Sequence, residues 1–227
     1  MHNSATIVFD LDGTLAHTSP DIAAALNSAL RPYSVELTLR ETERLVGGGL
    51  RALLEKALAL KSVDVPPDEI DVAFERLLVS YRAEPAARTA LHGWVAGTMI
   101  EMHGAGARIA VCSNKAEDLA VRILDALDAS RWIHAIVGHV PERKKKPDPE
   151  PLLLSIRDAG GIPGSAMLIG DSSADVGAAR AAGIPVVLVP HGYGSKDVRD
   201  LAADRIVSNA EELRAAIDTL LPPAFAS

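Results

Sequence analysis

Apolar residues follow two different patterns along the chain. From about residue 107 onward, short apolar runs alternate with helix-like stretches, and residues 5–10 form a similar run near the N-terminus. The later runs are 108–112, 134–137, 166–169, 185–189 and 205–207. Near-continuous apolar strands that alternate with helices are typical of a parallel sheet covered by helices on both faces. This part of the chain is therefore predicted to form an α/β core with a Rossmann-like parallel sheet.

Residues 18–88 show helical spacing and no convincing strand. Ser19-Pro20-Asp21 is typical of a helix start, with a capping hydroxyl and a proline in the first turn. The apolar stripes that follow are Ile22, Leu26 and Leu30; Leu50, Leu53, Leu54, Ala57 and Leu58; and Ile70, Phe74, Leu77, Leu78 and Tyr81. The pattern predicts an all-helical cap domain over 16–89, inserted into a catalytic core formed by 1–15 and 90–227.

Composition excludes several classes of protein. With 227 residues, 48% of them hydrophobic, the chain is long enough to bury a core. A net charge of −7 argues against nucleic acid as a partner, because no basic surface would neutralise the phosphates. No apolar run reaches the roughly 18 residues of a membrane-spanning helix. The single cysteine, Cys112, rules out an internal disulfide and fits a reducing compartment. We therefore expect a cytoplasmic protein without a membrane partner.

Polar residues stand where the predicted strands end. They are Asp10, Asp12, Gly13 and Thr14 after the first run, Ser113 and Asn114 after the second, and Asp171 and Asp175 after the run at 166–169. Asp10 and Asp12 are costly there, because carboxylates lose hydration when buried and neighbouring like charges raise a pKa. Ligands of such sheets bind outside the carboxyl ends of the strands. These side chains are therefore predicted to form one site.

The order of these motifs resembles that of haloacid dehalogenase-like phosphohydrolases, over nearly the whole chain. The motifs are D-x-D-G-T-L from Asp10, Ser113-Asn114, Lys146 before Pro147, and G-D-S-x-x-D ending at Asp175. Within that family, the stretches SPDIAAALNSAL, VGGGLRALLEKAL and HGYG (191–194) are similar to phosphoglycolate phosphatases. The junction of cap and core departs from the family pattern, with His17-Thr18 in place of Asp-Ser and Leu91-His92-Gly93 in place of Pro-Gly.

The resemblance implies roles for the aspartates. Asp10 would attack phosphorus and form an aspartyl phosphate, while Asp12 would protonate the leaving alkoxide and then activate water. Mg²⁺ would be held by Asp10, the backbone carbonyl of Asp12, and Asp171, with Asp175 in support. Local charge gives an independent reason for a cation. Four aspartates against the single charge of Lys146 would repel a phosphate dianion, and a divalent ion offsets two of those charges.

The same resemblance implies which groups bind the phosphoryl oxygens. Lys146 and the hydroxyls of Thr14 and Ser113 would hold them, and Asn114 could orient them. The neighbouring residues 143–145 are expected to be an ordinary charged loop. A capping role for Asp171 and Asp175 is the simpler alternative, although Ser172 or Ser173 could cap that helix instead. His17 is either a loop residue or a catalytic one.

The cap is expected to close over the site and exclude water. Gly47-Gly48-Gly49 directly precedes the predicted helix at Leu50, and amides at a helix N-terminus bind anions. One hypothesis is that the amides of Gly48 and Gly49, with Arg51, receive a carboxylate of the substrate. The alternative is a flexible loop between two cap helices.

The motifs favour a Mg²⁺-dependent phosphatase that acts on a small phosphorylated metabolite, with 2-phosphoglycolate as the best single substrate. A broader sugar-phosphate or pyrophosphate phosphatase and a phosphosugar mutase are the alternatives. A dehalogenase needs neither Asp12 nor a metal, and a binding module is expected to have lost a catalytic position. The protein would act as a monomer or homodimer.

Overall fold

A parallel sheet forms the centre of the molecule. The computed structural model describes residues 5–193 and 197–221. Its strands, in chain order, are β1 (Thr6–Phe9), β2 (Ala16–His17), β3 (Ala90–Leu91), β4 (Arg108–Ala116), β5 (Ala135–His139), β6 (Ala166–Gly170), β7 (Val186–Leu188) and β8 (Arg205–Ile206). Six of them form one sheet in the order β5-β4-β1-β6-β7-β8, with all neighbours parallel. The predicted α/β class and its parallel sheet are confirmed.

Helices cover the sheet and fill the inserted segment. In chain order they are α1 (Ser19–Leu30), α2 (Leu39–Leu45), α3 (Leu50–Leu60), α4 (Pro67–Ala83), α5 (Gly93–Gly104), α6 (Glu117–Ala126), α7 (Glu150–Asp158), α8 (Ser173–Ala182) and α9 (Ala210–Leu220). The first four lie in the segment between β2 and β3, which we call the cap; a separate cap domain at 16–89 stays a prediction. In the described part of the chain, every helix is too short or too polar to cross a bilayer. Residues 1–4, 194–196 and 222–227 lie outside the described residues.

The position of β1 fixes the position of the site. Its four residues are fully buried, and it lies between β4 and β6. Ile7 and Phe9 pack into the apolar cluster on one face of the sheet, whereas Val8 packs into the cluster on the other face. Because both faces are covered, β1 is apolar from Ile7 to Phe9, and Asp10, the first charged side chain, follows the strand directly.

A short ribbon joins the cap to the core. In it, β2 and β3 pair antiparallel, with Ala16 opposite Leu91 and His17 opposite Ala90. The chain therefore leaves the core and returns to it at neighbouring points. The sequence pattern missed this ribbon, because strands of two residues are too short to show a periodicity.

The start of α1 differs from its prediction in one respect. The helix begins at Ser19, but neither Ser19 nor the preceding Thr18 caps it through a side chain. Thr18 donates its hydroxyl to Asp12 at 2.5 Å, and Ser19 donates its hydroxyl to Glu43 at 2.8 Å. Both hydroxyls are therefore donated to carboxylates of other segments, although Thr18 and Ser19 are fully buried at the helix start.

The cap packs against the core through an apolar contact with α6. Leu119 and Ile123 of α6 are fully buried in the cluster that also contains Leu77 and Tyr81 of α4. An ion pair between Arg82 and Asp118, at 2.9 Å, borders this contact. We call the contact of Leu119 and Ile123 with α4 the α6 seam. It packs the cap against the helix that follows β4.

Three histidines meet at the ribbon. The ring centroids of His92 and His191 are 3.9 Å apart, and those of His17 and His92 are 5.9 Å apart. Tyr193 places its hydroxyl 3.1 Å from Nδ1 of His17. The Nε2 atom of His92 is buried without a hydrogen-bond partner among the described residues. These histidines are far apart in the sequence, and the fold brings them together beside the ribbon.

We expect acid to destabilise the protein through this cluster. Burial, followed by His191 and His17, lowers the pKa of His92 to about 4 from 6.5. The unfolded chain takes up a proton on His92 near pH 6.5, whereas the folded protein does so only near pH 4. The free energy of unfolding therefore falls as the pH decreases through this window. Urea unfolding of the wild type and His92→Gln across pH 4–7 should show a shallower slope for the variant.

The matched control is His103→Gln, on α5 outside the cluster. It should keep the wild-type dependence on pH. An unchanged slope for His92→Gln would assign the acid sensitivity to other groups.

Candidate active site

Asp10 stands at the carboxyl end of β1. Its backbone amide still donates to the Ile169 carbonyl at 2.8 Å, so the sheet fixes its position. Oδ1 of its carboxylate accepts hydrogen bonds from the Leu11 amide at 2.7 Å and lies 3.1 Å from the Lys146 ammonium. The side chain is 12% exposed. Asp10 is therefore a rigidly held carboxylate that keeps an accessible face, as a nucleophile requires.

Lys146 is buried at the centre of the charged groups. Its ammonium contacts Oδ1 of Asp175 at 2.6 Å and the Cys112 carbonyl at 2.7 Å, in addition to Asp10. The Asn114 side chain accepts from the Lys146 amide at 2.8 Å and donates to the Lys146 carbonyl at 2.9 Å. Asn114 thus fixes the backbone of Lys146, which gives it a positioning role that the sequence analysis did not distinguish from substrate contact.

Three carboxylates form a group that suits a metal ion. One oxygen atom each from Asp10, Asp171 and Asp175 lies within 4.8 Å of the others. The Asp171 carboxylate is held from two sides. Thr14 donates its hydroxyl to Oδ1 at 2.7 Å, and the Tyr193 amide donates to Oδ2 at 2.9 Å. Thr14 was predicted to bind phosphoryl oxygens, and in this structure its hydroxyl is used by Asp171.

Asp175 has two functions at once. It forms a capping box with Ser172 at the start of α8, so the capping interpretation of the sequence holds for these two residues. Its Oδ2 accepts from the Ser172 amide at 3.0 Å, while its Oδ1 receives the Lys146 ammonium. The capping box at the start of α8 therefore fixes the Asp175 carboxylate, which pairs with Lys146.

The aspartate group is electrostatically unfavourable by itself. Burial raises the pKa of Asp10 to about 6; Lys146 opposes this shift, and Asp175 and Asp12 add to it. Burial, followed by Asp10 and Asp175, also raises the pKa of Asp171 well above its usual value. A divalent cation would relieve this repulsion, and carboxylate oxygens are the ligands that Mg²⁺ prefers. The residues present therefore fit Mg²⁺.

Two glycines are required by the way Asp171 is packed. A Cβ at Gly192 would lie 2.1 Å from Cβ of Asp171, and a Cβ at Gly13 would lie 2.9 Å from its Oδ2. Gly13 also has a φ of +81°, which side chains rarely adopt. The H-G-Y-G stretch thus contributes Gly192 and Tyr193 to the site, while Gly194 lies outside the described residues.

Asp12 is paired with a lysine that the sequence analysis missed. The ammonium of Lys115 lies 2.9 Å and 3.1 Å from the two carboxylate oxygens of Asp12. Burial alone would lower the pKa of Lys115, but Asp12 raises it above the usual value. The ring of Tyr81, from α4 of the cap, lies 4.7 Å from the same ammonium. The proposed general acid therefore contacts a buried cation at the boundary of core and cap.

A signal for Lys115 was present in the sequence. The apolar run of β4 ends at Cys112, but the strand continues to Ala116. Side chains two apart in a strand lie on the same face, so Lys115 shares a face with Ser113. Ser113 is buried and accepts from the Lys115 amide at 3.3 Å. A strand extended by these few residues would have predicted the lysine at the site.

The cap residues singled out from the sequence make different contacts. All three glycines before α3 have positive φ, including +83° at Gly48 and +96° at Gly49. A Cβ at Gly49 would lie 3.3 Å from Nζ of Lys145, so this loop approaches the lysine run of the core. Arg51 instead pairs with Asp71 at 2.5 Å and Glu55 at 3.2 Å on an exposed face. Its guanidinium is thus paired on the surface of the cap, and its contact with substrate stays a prediction.

Comparisons with known proteins agree with this geometry. The family model described as haloacid dehalogenase-like hydrolase matches residues 7–189. A phosphoglycolate phosphatase of Caulobacter vibrioides is 36% identical over 220 residues, which are 96% of this chain and 93% of the relative. The crystal structure of a predicted phosphoglycolate phosphatase from Haemophilus somnus superposes with a TM-score of 0.84 at 26% identity, covering 94% of this chain and 98% of that one. CbbY from Rhodobacter sphaeroides, in complex with phosphate, gives a TM-score of 0.74 at 26% identity and covers 95% and 99%.

Proposed function

The chain belongs to the haloacid dehalogenase-like hydrolases and is a phosphatase, and we propose that 2-phosphoglycolate is its preferred substrate. The observation that supports catalysis is the contact of Lys146 with both Asp10 and Asp175 beside the aspartate group. The substrate is proposed from the relatives called phosphoglycolate phosphatases, which cover nearly the whole chain.

In the proposed reaction, Asp10 is the nucleophile and Asp12 the general acid and base. An oxygen of Asp10 forms a bond to phosphorus as the bond between phosphorus and the ester oxygen breaks. Asp12 gives its proton to the departing glycolate oxygen. It then takes a proton from water, whose oxygen attacks the aspartyl phosphate and releases phosphate and free Asp10. Lys146, with Ser113 at the end of β4, stabilises the charge on the phosphoryl oxygens.

Asp10, Asp171 and the backbone carbonyl of Asp12 would hold Mg²⁺, with Asp175 in support. When bound, the ion supplies positive charge that lets a phosphate dianion approach an anionic nucleophile. Thr14 and Tyr193 contribute by keeping Asp171 oriented toward Asp10. These two hydrogen bonds are made by the chain's own residues.

We place the protein in the cytoplasm, acting as a monomer or homodimer on a small phosphorylated metabolite, without a nucleic-acid or membrane partner. The cap would exclude water from the strand ends during the reaction. The amides of Gly48 and Gly49 are proposed to line the cap side of the site, where Gly49 approaches Lys145. Arg51 would have to leave Asp71 in order to contact the substrate.

Phosphate release from a panel of esters tests this function. The panel contains 2-phosphoglycolate, sugar phosphates and pyrophosphate, each with Mg²⁺ and with a chelator. We expect kcat/KM for 2-phosphoglycolate to exceed that of the other compounds by about 100-fold, because transition-state contacts with a second charged group add to those of the phosphate.

Comparable release from many esters would indicate a general phosphatase and refute the proposed substrate. Isomerised sugar phosphate without net release would identify a mutase instead. The Arg51→Ala variant tests the cap hypothesis in the same assay, because a higher KM for the carboxylated ester alone would support a substrate contact by Arg51.

A further inference from the structure

Two hydrogen-bond donors are left over beside the general acid. The Lys115 ammonium has three donors, and it gives hydrogen bonds to the two oxygens of Asp12, which leaves one donor directed toward Tyr81. The Tyr81 hydroxyl is buried and accepts or donates no hydrogen bond of good geometry among the described residues. Burial raises the pKa of this hydroxyl, and Lys115 and Asp12 are the charged groups that act on it most strongly. Buried donors of this kind normally have acceptors.

These donors lie where the far end of a substrate must lie. Asp12 has to reach the ester oxygen in order to protonate the leaving group, whereas the phosphoryl group faces Asp10 and Lys146. In 2-phosphoglycolate a single methylene separates the ester oxygen from the carboxylate. A cation that contacts Asp12 at 2.9 Å is therefore within reach of that carboxylate. Lys115 belongs to the core and Tyr81 to the cap, so an acceptor between them would bind both parts.

Burial makes Lys115 selective for an anion. The side chain of Lys115 is 2% exposed, whereas that of Asp12 is 19% exposed. A buried ammonium needs an anionic partner, because an unpaired buried charge is strongly destabilising. An uncharged sugar hydroxyl could accept a hydrogen bond from Lys115 but could not replace the charge of Asp12. A carboxylate can replace it.

We propose that Lys115 and Tyr81 are the specificity-determining residues of this phosphatase and bind the carboxylate of an acidic phosphate ester. The carboxylate takes up the free donors of both residues and shares Lys115 with Asp12. This inference rests on the proposed function, since it assumes that Asp12 faces the leaving group. It differs from the hypothesis for Arg51, which places carboxylate binding at the N-terminus of α3.

A matched pair of substrates separates recognition from catalysis. The pair is 2-phosphoglycolate and its amide, 2-phosphoglycolamide, which has nearly the same shape without the negative charge. We expect Lys115→Met to lower the preference for the acid over the amide by about 30-fold or more, mainly through KM. Tyr81→Phe, which removes only the hydroxyl, should lower it by about 3-fold to 10-fold. Lys144→Met, at an exposed lysine paired with Asp148, is the control and should keep the wild-type preference.

An equal loss on both substrates would overturn the inference, because it would mean that Lys115 acts only through Asp12. If Lys115→Met fails to fold, Tyr81→Phe decides by itself. An unchanged preference for the acid over the amide in that variant overturns the inference. If the wild type hydrolyses neither ester, the proposed function fails. Binding of the acid and the amide then tests the role of Lys115 and Tyr81 separately. Calorimetry with Asp10→Asn protein would then have to show tighter binding of the acid than of the amide, and loss of that difference when Lys115→Met is added.

Discussion

Asp10→Asn protein is expected to release phosphate at least about 10⁴-fold more slowly than the wild type, because an amide oxygen cannot form the aspartyl phosphate. The substitution changes the charge without changing the shape of the side chain. Oδ1 remains an acceptor for the Leu11 amide, and Lys146 keeps its contact with Asp175. The loss should therefore appear in kcat for every ester tested, independent of the leaving group.

The same variant should be more stable than the wild type when Mg²⁺ is absent. Burial raises the pKa of Asp10 to about 6, above its usual 3.8. A raised carboxylate pKa contributes stability that is present below pH 3.8 and is lost as the pH rises through 6. At neutral pH the wild type therefore carries the cost of an ionised Asp10, and Asn does not. Thermal unfolding in EDTA at pH 7.5 checks this, and a lower midpoint for the variant would contradict it.

Removing Mg²⁺ should abolish activity and lower thermal stability together. An ion present at about 100 times its Kd stabilises the folded state by about 2.7 kcal/mol. For a chain of this size that corresponds to a rise in the unfolding midpoint of about 5–10 °C. Asp171→Asn should lose most of this rise, because Asp171 contributes one of the three carboxylates of the group.

The exposed pair of Asp197 and Arg199 offers a control for this experiment. An Asp197→Asn variant removes one exposed carboxylate outside the aspartate group and should keep the full response to Mg²⁺. Activity that survives chelation, or an Asp171→Asn protein that still gains several degrees, would show that the aspartate group does not hold the ion.

The sheet and the core motifs could be predicted because most strands of the sheet contain a short apolar run. The run at 166–169 ends directly at Gly170 and Asp171, so strand, turn and carboxylate are adjacent in the sequence. The parallel order of the strands then brings distant motifs to one edge. These are local signals combined with one general rule about sheets, and neither depends on the details of packing.

Contacts between segments far apart in the chain could not be predicted in this way. Tyr193 donates its amide to Asp171 across a loop, and Thr18 uses its hydroxyl for Asp12 rather than for its helix. Nothing in the local pattern around either residue distinguishes it from an ordinary loop or capping residue. The position of Lys115 depends on how far β4 continues past its apolar run, which packing determines.

The α6 seam connects the behaviour of the cap to temperature. Apolar contacts such as those of Leu119 and Ile123 lose strength on cooling, whereas the hydrogen bonds that hold Asp10 and Lys146 do not share this dependence. Cooling is therefore expected to weaken the α6 seam more than the charged contacts at the sheet edge. Adaptation of such a protein to a cold environment would alter the residues of this seam and leave the aspartates unchanged.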